Sequence, residues 1–273
     1  MTFTQRLRQS QESRHSLLCV GLDPDPTKLP HPLQGKDDGV LAFNRGIIEA
    51  TKDVTCCYKL NLAFFEAMGE RGWHILRETL ALIPRDIITI ADGKRGDIGN
   101  SSAMYARSIM TDLHFDAATV HPYMGLDSVE PFARNPEQGV FVLALTSNPG
   151  AKDFQYMKAG GKPLYEHVVR RVKKWNTADN FGLVVGATRP AQLKQIRQIA
   201  PRLPLLIPGI GAQGGDLRKA VQYGCDSTGA LALINVGRTV LYASAGDDFA
   251  DAARTAAHAM RNEINLYRDQ YFS

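Results

Sequence analysis

The sequence predicts an α/β protein, a single (β/α)8 barrel of the TIM type occupying residues 1–273. Three observations carry the prediction. Eight short apolar or β-branched runs recur, their ends roughly 30 residues apart, the length of one strand plus its crossover helix. The runs are continuously apolar rather than alternating, as suits parallel strands covered by helices. The 273 residues also match the ~250 that such a barrel typically needs.

In chain order the predicted strands are Ser16–Leu22, Thr55–Asn61, Asp86–Ala91, Ala117–His121, Val140–Thr146, Gly182–Gly186, Pro204–Ile207 and Ala230–Val236. Amphipathic stretches lie between them, among them Val40–Lys52, Glu70–Ile83, Gln192–Ile199 and, last, Asp247–Arg268. Pro163 and Pro190 stand just before an apolar pattern resumes, where a first helical turn tolerates the missing N–H. An open doubly wound sheet is the structural alternative, and it usually shows G-x-G-x-x-G after its first strand. None follows Leu22. No domain boundary or low-complexity segment interrupts the series. The longest irregular stretch is Asn148–Pro163, after the fifth strand. A loop of that length in a compact domain is more often functional or mobile than idle.

Hydrophobic residues make up 44% and charged residues 22%, which argues for a folded globular chain and against disorder. The net charge of +4 is mild and its basic residues are dispersed. That balance suits anionic substrates and offers no stripe for nucleic acid; Arg170-Arg171-Val172-Lys173-Lys174 reads as the polar face of a helix. No run approaches the ~18 apolar residues of a membrane span. Met1–Arg14 is polar and basic without an apolar core, so no secretory signal is expected. Cys19, Cys56, Cys57 and Cys225 show no C-x-x-C spacing. Buried free thiols in a cytoplasmic protein are the expectation, rather than disulfides or a metal site.

In such a barrel chemistry sits at the C-terminal ends of the strands, and four segments there resist a packing explanation. Asp92-Gly93-Lys94-Arg95-Gly96-Asp97-Ile98 places carboxylate, ammonium and carboxylate at spacings of two and three. In an extended segment Asp92 and Lys94 share a side. A single D-x-K is by default a solvated turn with a surface ion pair, but the two glycines permit tight turns that bring Asp97 back toward Lys94. Lys59, in Cys57-Tyr58-Lys59-Leu60-Asn61, would on its own be a snorkelling lysine. Facing the same pocket, it would complete a Lys-Asp-Lys-Asp array that neutralises itself while buried. The third segment, Pro208–Asp216, is a glycine-rich loop whose backbone N–H groups suit phosphate. The fourth is Val236-Gly237-Arg238. Loops after strands seven and eight form the usual phosphate site of this barrel, so the pair supports phosphate binding better than either loop alone.

The signature Asp92-Gly93-Lys94-Arg95-Gly96-Asp97-Ile98 resembles the D-x-K-x-x-D-I of orotidine 5'-phosphate decarboxylases. The resemblance runs in order from Gly21-Leu22-Asp23 through Lys59, Thr146-Ser147-Asn148-Pro149-Gly150 and Gly209–Gly215 to Gly237-Arg238. Arg95-Gly96, Thr146-Ser147-Asn148-Pro149 and the long loop beyond are similar to the type 2 subgroup common in bacteria. The resemblance implies decarboxylation of orotidine 5'-monophosphate to UMP in pyrimidine biosynthesis, without metal or organic cofactor. It implies that Lys94 protonates C6, that Asp92 lies beside the departing carboxylate, and that Lys59 and Asp97 complete the array. Asp23 would bind ribose, Ser147 the pyrimidine, and Gln213 and Arg238 the phosphate, with Pro208 and Gly237 also in the binding site. Asp97, Ile98 and Ser101 would come from the neighbouring subunit of a homodimer with shared sites; the family often has threonine where Ser101 stands.

Three rivals are weaker. D-x-K-x-x-D is shared with sugar-phosphate decarboxylases and synthases, which generally bind Mg2+ and have glutamate where Lys59 stands. A ribulose-phosphate epimerase would need metal-binding histidines at strand ends, and only His121 is so placed. A nucleotide- or nucleic-acid-binding barrel would account for the glycine loops but not for Asp92, Lys94 and Asp97.

Overall fold

The computed structural model describes residues 1–211 and 214–272. Eight parallel strands close a barrel among them: β1 (Leu18–Leu22), β2 (Cys57–Asn61), β3 (Ile88–Arg95), β4 (Ala117–Val120), β5 (Gly139–Leu145), β6 (Phe181–Val185), β7 (Leu205–Pro208) and β8 (Ala232–Val236). Each strand pairs with its sequence neighbours, and β8 returns to β1 through Leu18↔Ile234, Cys19↔Asn235 and Val20↔Val236. All eight strands fall on the predicted runs.

The helices are α1 (Phe3–Ser13), α2 (Gly39–Thr51), α3 (Leu62–Glu66), α4 (Glu70–Leu82), α5 (Gly99–Ala106), α6 (Leu126–Ala133), α7 (Ala151–Phe154), α8 (Leu164–Trp175), α9 (Pro190–Ile199), α10 (Leu217–Gly224), α11 (Arg238–Leu241) and α12 (Phe249–Phe272). Pro163 is the N-cap of α8 and Pro190 opens α9. None of these helices is long and apolar enough to cross a membrane. The stretch 148–163 is more ordered than expected. It holds α7 and a hairpin pairing Lys158–Ala159 with Lys162–Pro163. Gly160 and Gly161, at φ +55° and +79°, supply the left-handed pair that a two-residue hairpin turn favours.

Two hydrophobic layers follow from the strand period of two. Leu18, Val20, Leu22, Tyr58 and Leu60 point outward into the layer beneath the helices. Cys19, Cys57, Ile88, Ile90, Ala117, Phe141, Val184, Leu206 and Leu233 fill the barrel interior. Burial places all four cysteines as free thiols, as expected.

The polar segment Met1–Arg14, which showed no apolar core in the sequence, folds as α1 beneath the barrel. Thr2 and Gln5 form a reciprocal capping box at its start. Its two interior apolar residues, Phe3 and Leu7, are fully buried among the barrel-filling side chains. Phe3 meets Phe141 edge to face at 5.8 Å and covers Gly139, where a Cβ would lie 2.5 Å from the ring. Gln11 bonds Ala232 O and Leu231 N, and Ser10 bonds Cys56 O. Two apolar side chains per helix are too few for a periodicity signal, yet they stop the open end of the barrel.

Phe3→Ala should therefore cost about 3–5 kcal/mol of stability, read by urea denaturation. A loss below about 1 kcal/mol would show that the ring does not fill the barrel floor.

Candidate active site

Above Cys57 and Ile90 the next inward positions on β2 and β3 are Lys59 and Asp92, two residues further along. The interior thus turns from apolar to charged within one layer. Register places Gly21 beside Lys59 and Asn61 beside Asp92, so a carboxylate stands on each side of Lys59. Its Nζ lies 3.2 Å from Asp23 Oδ1 and 3.2 Å from Asp92 Oδ2. Asp23 Oδ1 also accepts from the Asn61 backbone at 3.2 Å. Asp92 Oδ1 accepts from Lys94 Nζ at 2.8 Å and from Thr119 Oγ1 at 2.9 Å. The result is an alternating row, Asp23–Lys59–Asp92–Lys94, whose inner members are buried and whose Lys94 side chain is 45% exposed at the mouth.

Charge in this row is mutually held. Burial opposes the Lys59 ammonium, but the adjacent Asp23 and Asp92 carboxylates outweigh it and raise its pKa above the ordinary lysine range. Burial likewise opposes the Asp92 carboxylate; Lys59, Lys94 and the Thr119 hydroxyl outweigh that and lower it from 3.8 to about 2.

Lys94 owes its position to a break in the β3–β4 ladder. Ala91 pairs with Ala118 and Arg95 with Val120, so β3 uses four steps where β4 uses two. The extra residues bulge toward the mouth, and Lys94 takes a left-handed φ of +45°. Thr119, opposite the bulge, closes it by accepting from the Lys94 backbone N–H at 3.0 Å.

Asp97 does not return to Lys94 within one chain. Its carboxylate accepts instead from the Ile98 backbone at 2.8 Å, and it makes no ion pair among the described residues. Gly96, the second of the two glycines, sits against His121, where a Cβ would come within 2.1 Å of the imidazole. Ile98 is 60% exposed and Ser101 is exposed on α5.

The remaining expected site residues lie on neighbouring loops of the same face. Ser147 follows β5 and packs on Gly186, where a Cβ would lie 2.3 Å from its hydroxyl. Pro208 ends β7 and its carbonyl accepts from Ala187 N at 2.9 Å. Gly209, Gly211 and Gly214 all have positive φ, and Gly215 N closes the loop onto Gly209 O at 2.9 Å. Gln213 lies outside the described residues. Gly237 caps the short α11 and Arg238 begins it. Asp23, Asp25, Lys28, Gly237, Arg238 and Tyr242 line a cavity of about 330 Å³.

Two contributors escaped the sequence reading. Thr119 could have been found by counting two residues on from the inward Ala117. Gln155 could not: its side chain holds Thr146, accepting from the backbone N–H and donating to Oγ1, both at 2.8 Å, across a loop whose path only the fold defines.

A closed parallel barrel with this charged row at the C-terminal mouth has the architecture of a TIM-barrel enzyme, the class in which that mouth is the usual place of chemistry. The particular family follows from comparison: residues 16–256 match the model of the Orotidine 5'-phosphate decarboxylase / HUMPS family, and the chain belongs to it. A relative named orotidine 5'-phosphate decarboxylase from Dehalococcoides mccartyi is 51% identical over 99% of this chain and 100% of its own length. One of the same name from Thermomicrobium roseum is 48% identical over 99% and 97%. Among solved structures, Leishmania donovani OMP decarboxylase matches with a TM-score of 0.87 and 38% identity, covering 98% of this chain and 99% of the other.

Because the Asp92 carboxyl is lowered in the fold, its stabilising contribution is complete above the unfolded value near 3.8 and is lost as pH falls through about 2. The shift corresponds to about 2 kcal/mol. Urea denaturation of Asp92→Asn between pH 5 and pH 2 should show a correspondingly shallower loss of stability than wild type. An unchanged pH dependence would mean that Asp92 is not held ionised by its two lysines.

Proposed function

We propose that this chain decarboxylates orotidine 5'-monophosphate to UMP and CO2, the step that completes a pyrimidine nucleotide, using its own side chains in place of a metal or organic cofactor. The observation that carries the reading is the Asp23–Lys59–Asp92–Lys94 row at the mouth, beside a cavity lined by Arg238. Loss of CO2 from C6 leaves an electron pair in the plane of the pyrimidine, where the ring π system cannot spread it. A fixed ammonium is the remedy available here. Lys94, hydrogen-bonded to Asp92, stabilises the developing carbanion and delivers the proton to C6. Asp92 lies beside the departing carboxylate. Asp23 takes ribose, Ser147 the pyrimidine, and Arg238 with the glycine loop and Gln213 the phosphate. Phosphate binding, remote from C6, draws the loops over the site and excludes water from it.

The metal-dependent sister chemistry is disfavoured by Lys59. Its ammonium already bridges the carboxylates of Asp23 and Asp92, the place a divalent cation would need. The decisive assay follows loss of orotate absorbance in the presence of EDTA. Turnover should persist in EDTA and fall by about three orders of magnitude or more in Lys94→Ala. Activity abolished by EDTA and restored by Mg2+, or retained to a tenth in Lys94→Ala, would reject the scheme.

The same reading makes the enzyme a cytoplasmic homodimer in which Asp97, Ile98 and Ser101 complete the neighbour's site. Asp97 is free of ion pairs within its own chain among the described residues. Ile98, Met104, Tyr105 and Tyr123 leave apolar surface exposed nearby. Lys94→Ala and Asp97→Ala dimers should each be nearly inactive. Unfolded together and refolded, they should recover roughly a quarter of wild-type activity, since about half the dimers are mixed and each then has one intact site of two. Mixed dimers that form normally yet stay inactive would place Asp97 in its own subunit's site.

A further inference from the structure

Lys94 needs more than its hydrogen bonds to Asp92 and Thr119 to stay where it is. A non-glycine residue at φ +45° occupies a sparsely populated conformation that persists only when its surroundings over-determine it. The residue that follows it, Arg95, carries the strongest restraints. Its guanidinium pairs with the Glu66 carboxylate on α3. The same group lies over the Tyr105 ring on α5, with Cζ 5.4 Å from the centroid. Its side chain folds back across Gly93, where a Cβ would be 3.2 Å from Arg95 Nε and 2.9 Å from Leu62 Cδ1. Its carbonyl accepts from the His121 backbone at 3.1 Å.

We propose that Arg95 is a positioning residue that, through Glu66, holds the β3 bulge in the conformation that presents Lys94. The geometry is specific. Glu66 ends the short helix that begins directly after β2, with Asn61 as its N-cap. The ion pair therefore ties the bulge carrying Lys94 to the element carrying Lys59, and sets the spacing of the two ammonium groups. Tyr105 adds a third fixed point on α5. A lysine in place of Arg95 could reach the carboxylate but could not offer the planar group that both pairs with Glu66 and stacks on Tyr105.

This inference rests on Lys94 as the proton donor and is tested apart from it. Arg95→Ala should lose about a hundredfold in kcat, the cost of a misplacement on the order of 1 Å, while KM for orotidine 5'-monophosphate stays within about threefold. UMP binding, followed by calorimetry, should be retained, which shows that the variant is folded. Added guanidinium ion, filling the vacated space, should restore much of kcat to Arg95→Ala but not to Arg95→Ala/Glu66→Gln, whose anchoring carboxylate is gone. A kcat for Arg95→Ala within about threefold of wild type, or a loss that guanidinium leaves untouched while UMP still binds, overturns the positioning role. Lys94→Ala serves as the control. If it is inactive while Arg95→Ala is not, only the positioning role fails; if it is active, the assignment of the acid itself fails.

Discussion

The site depends on one buried ammonium. An isolated Lys59 charge beneath the barrel mouth would carry a desolvation penalty of several kcal/mol. It stays charged because a carboxylate just beyond the end of β1 and another on β3 each lie 3.2 Å away. With Lys94 the row holds two ammonium groups and two carboxylates, so its formal charges cancel. Removing either carboxylate would strand a charge rather than delete an interaction, which makes the row one cooperative object. Its burial also strengthens its field, since charges shielded from water act more strongly on their neighbours.

That arrangement requires β1, β2 and β3 to lie side by side in parallel and in register. The barrel supplies both conditions. Below the row the inward side chains are apolar, and α1 closes the floor with Phe3 and Leu7. Above it the inward side chains are charged and the loops are rich in glycine. One interior thus has a dry, apolar end and a polar, charged end. The separation lets Gly209, Gly211 and Gly214 take left-handed φ without disturbing the core.

Much of this was legible in the chain itself. All eight strands fell on their predicted runs, because a strand buried on both faces must be a continuous apolar run whatever its neighbours. The stretch 148–163 was misjudged because its hairpin is two residues a side, too short for periodicity, although Gly160-Gly161 marked the turn. The N-terminal helix was missed for a related reason: two apolar residues suffice when their task is to plug a barrel. At the site Asp92 and Lys94 stand out through the glycine-flanked cluster they share with Asp97, whereas Lys59 alone reads as a snorkelling lysine and gains meaning only beside them. The flexibility of two glycines points Asp97 toward Lys94, but in the fold its carboxylate accepts from the Ile98 backbone and Gly96 packs on the His121 ring.

By itself the sequence determined the class of fold, the strand order through short sequential crossovers, and the residues bearing charge at the strand ends. Those properties are local: a run length, a period, a spacing. The tertiary structure alone decided that Asp23 and Asp92 flank Lys59, and that Thr119 closes the bulge behind Lys94. It also decided that Gln155 holds Thr146 and that Arg95 reaches Glu66. Each of these joins residues on different elements. The meetings at Lys59 and Thr119 depend on inter-strand register and on a two-residue slip between β3 and β4, and neither the register nor the slip is written in any single segment of the chain.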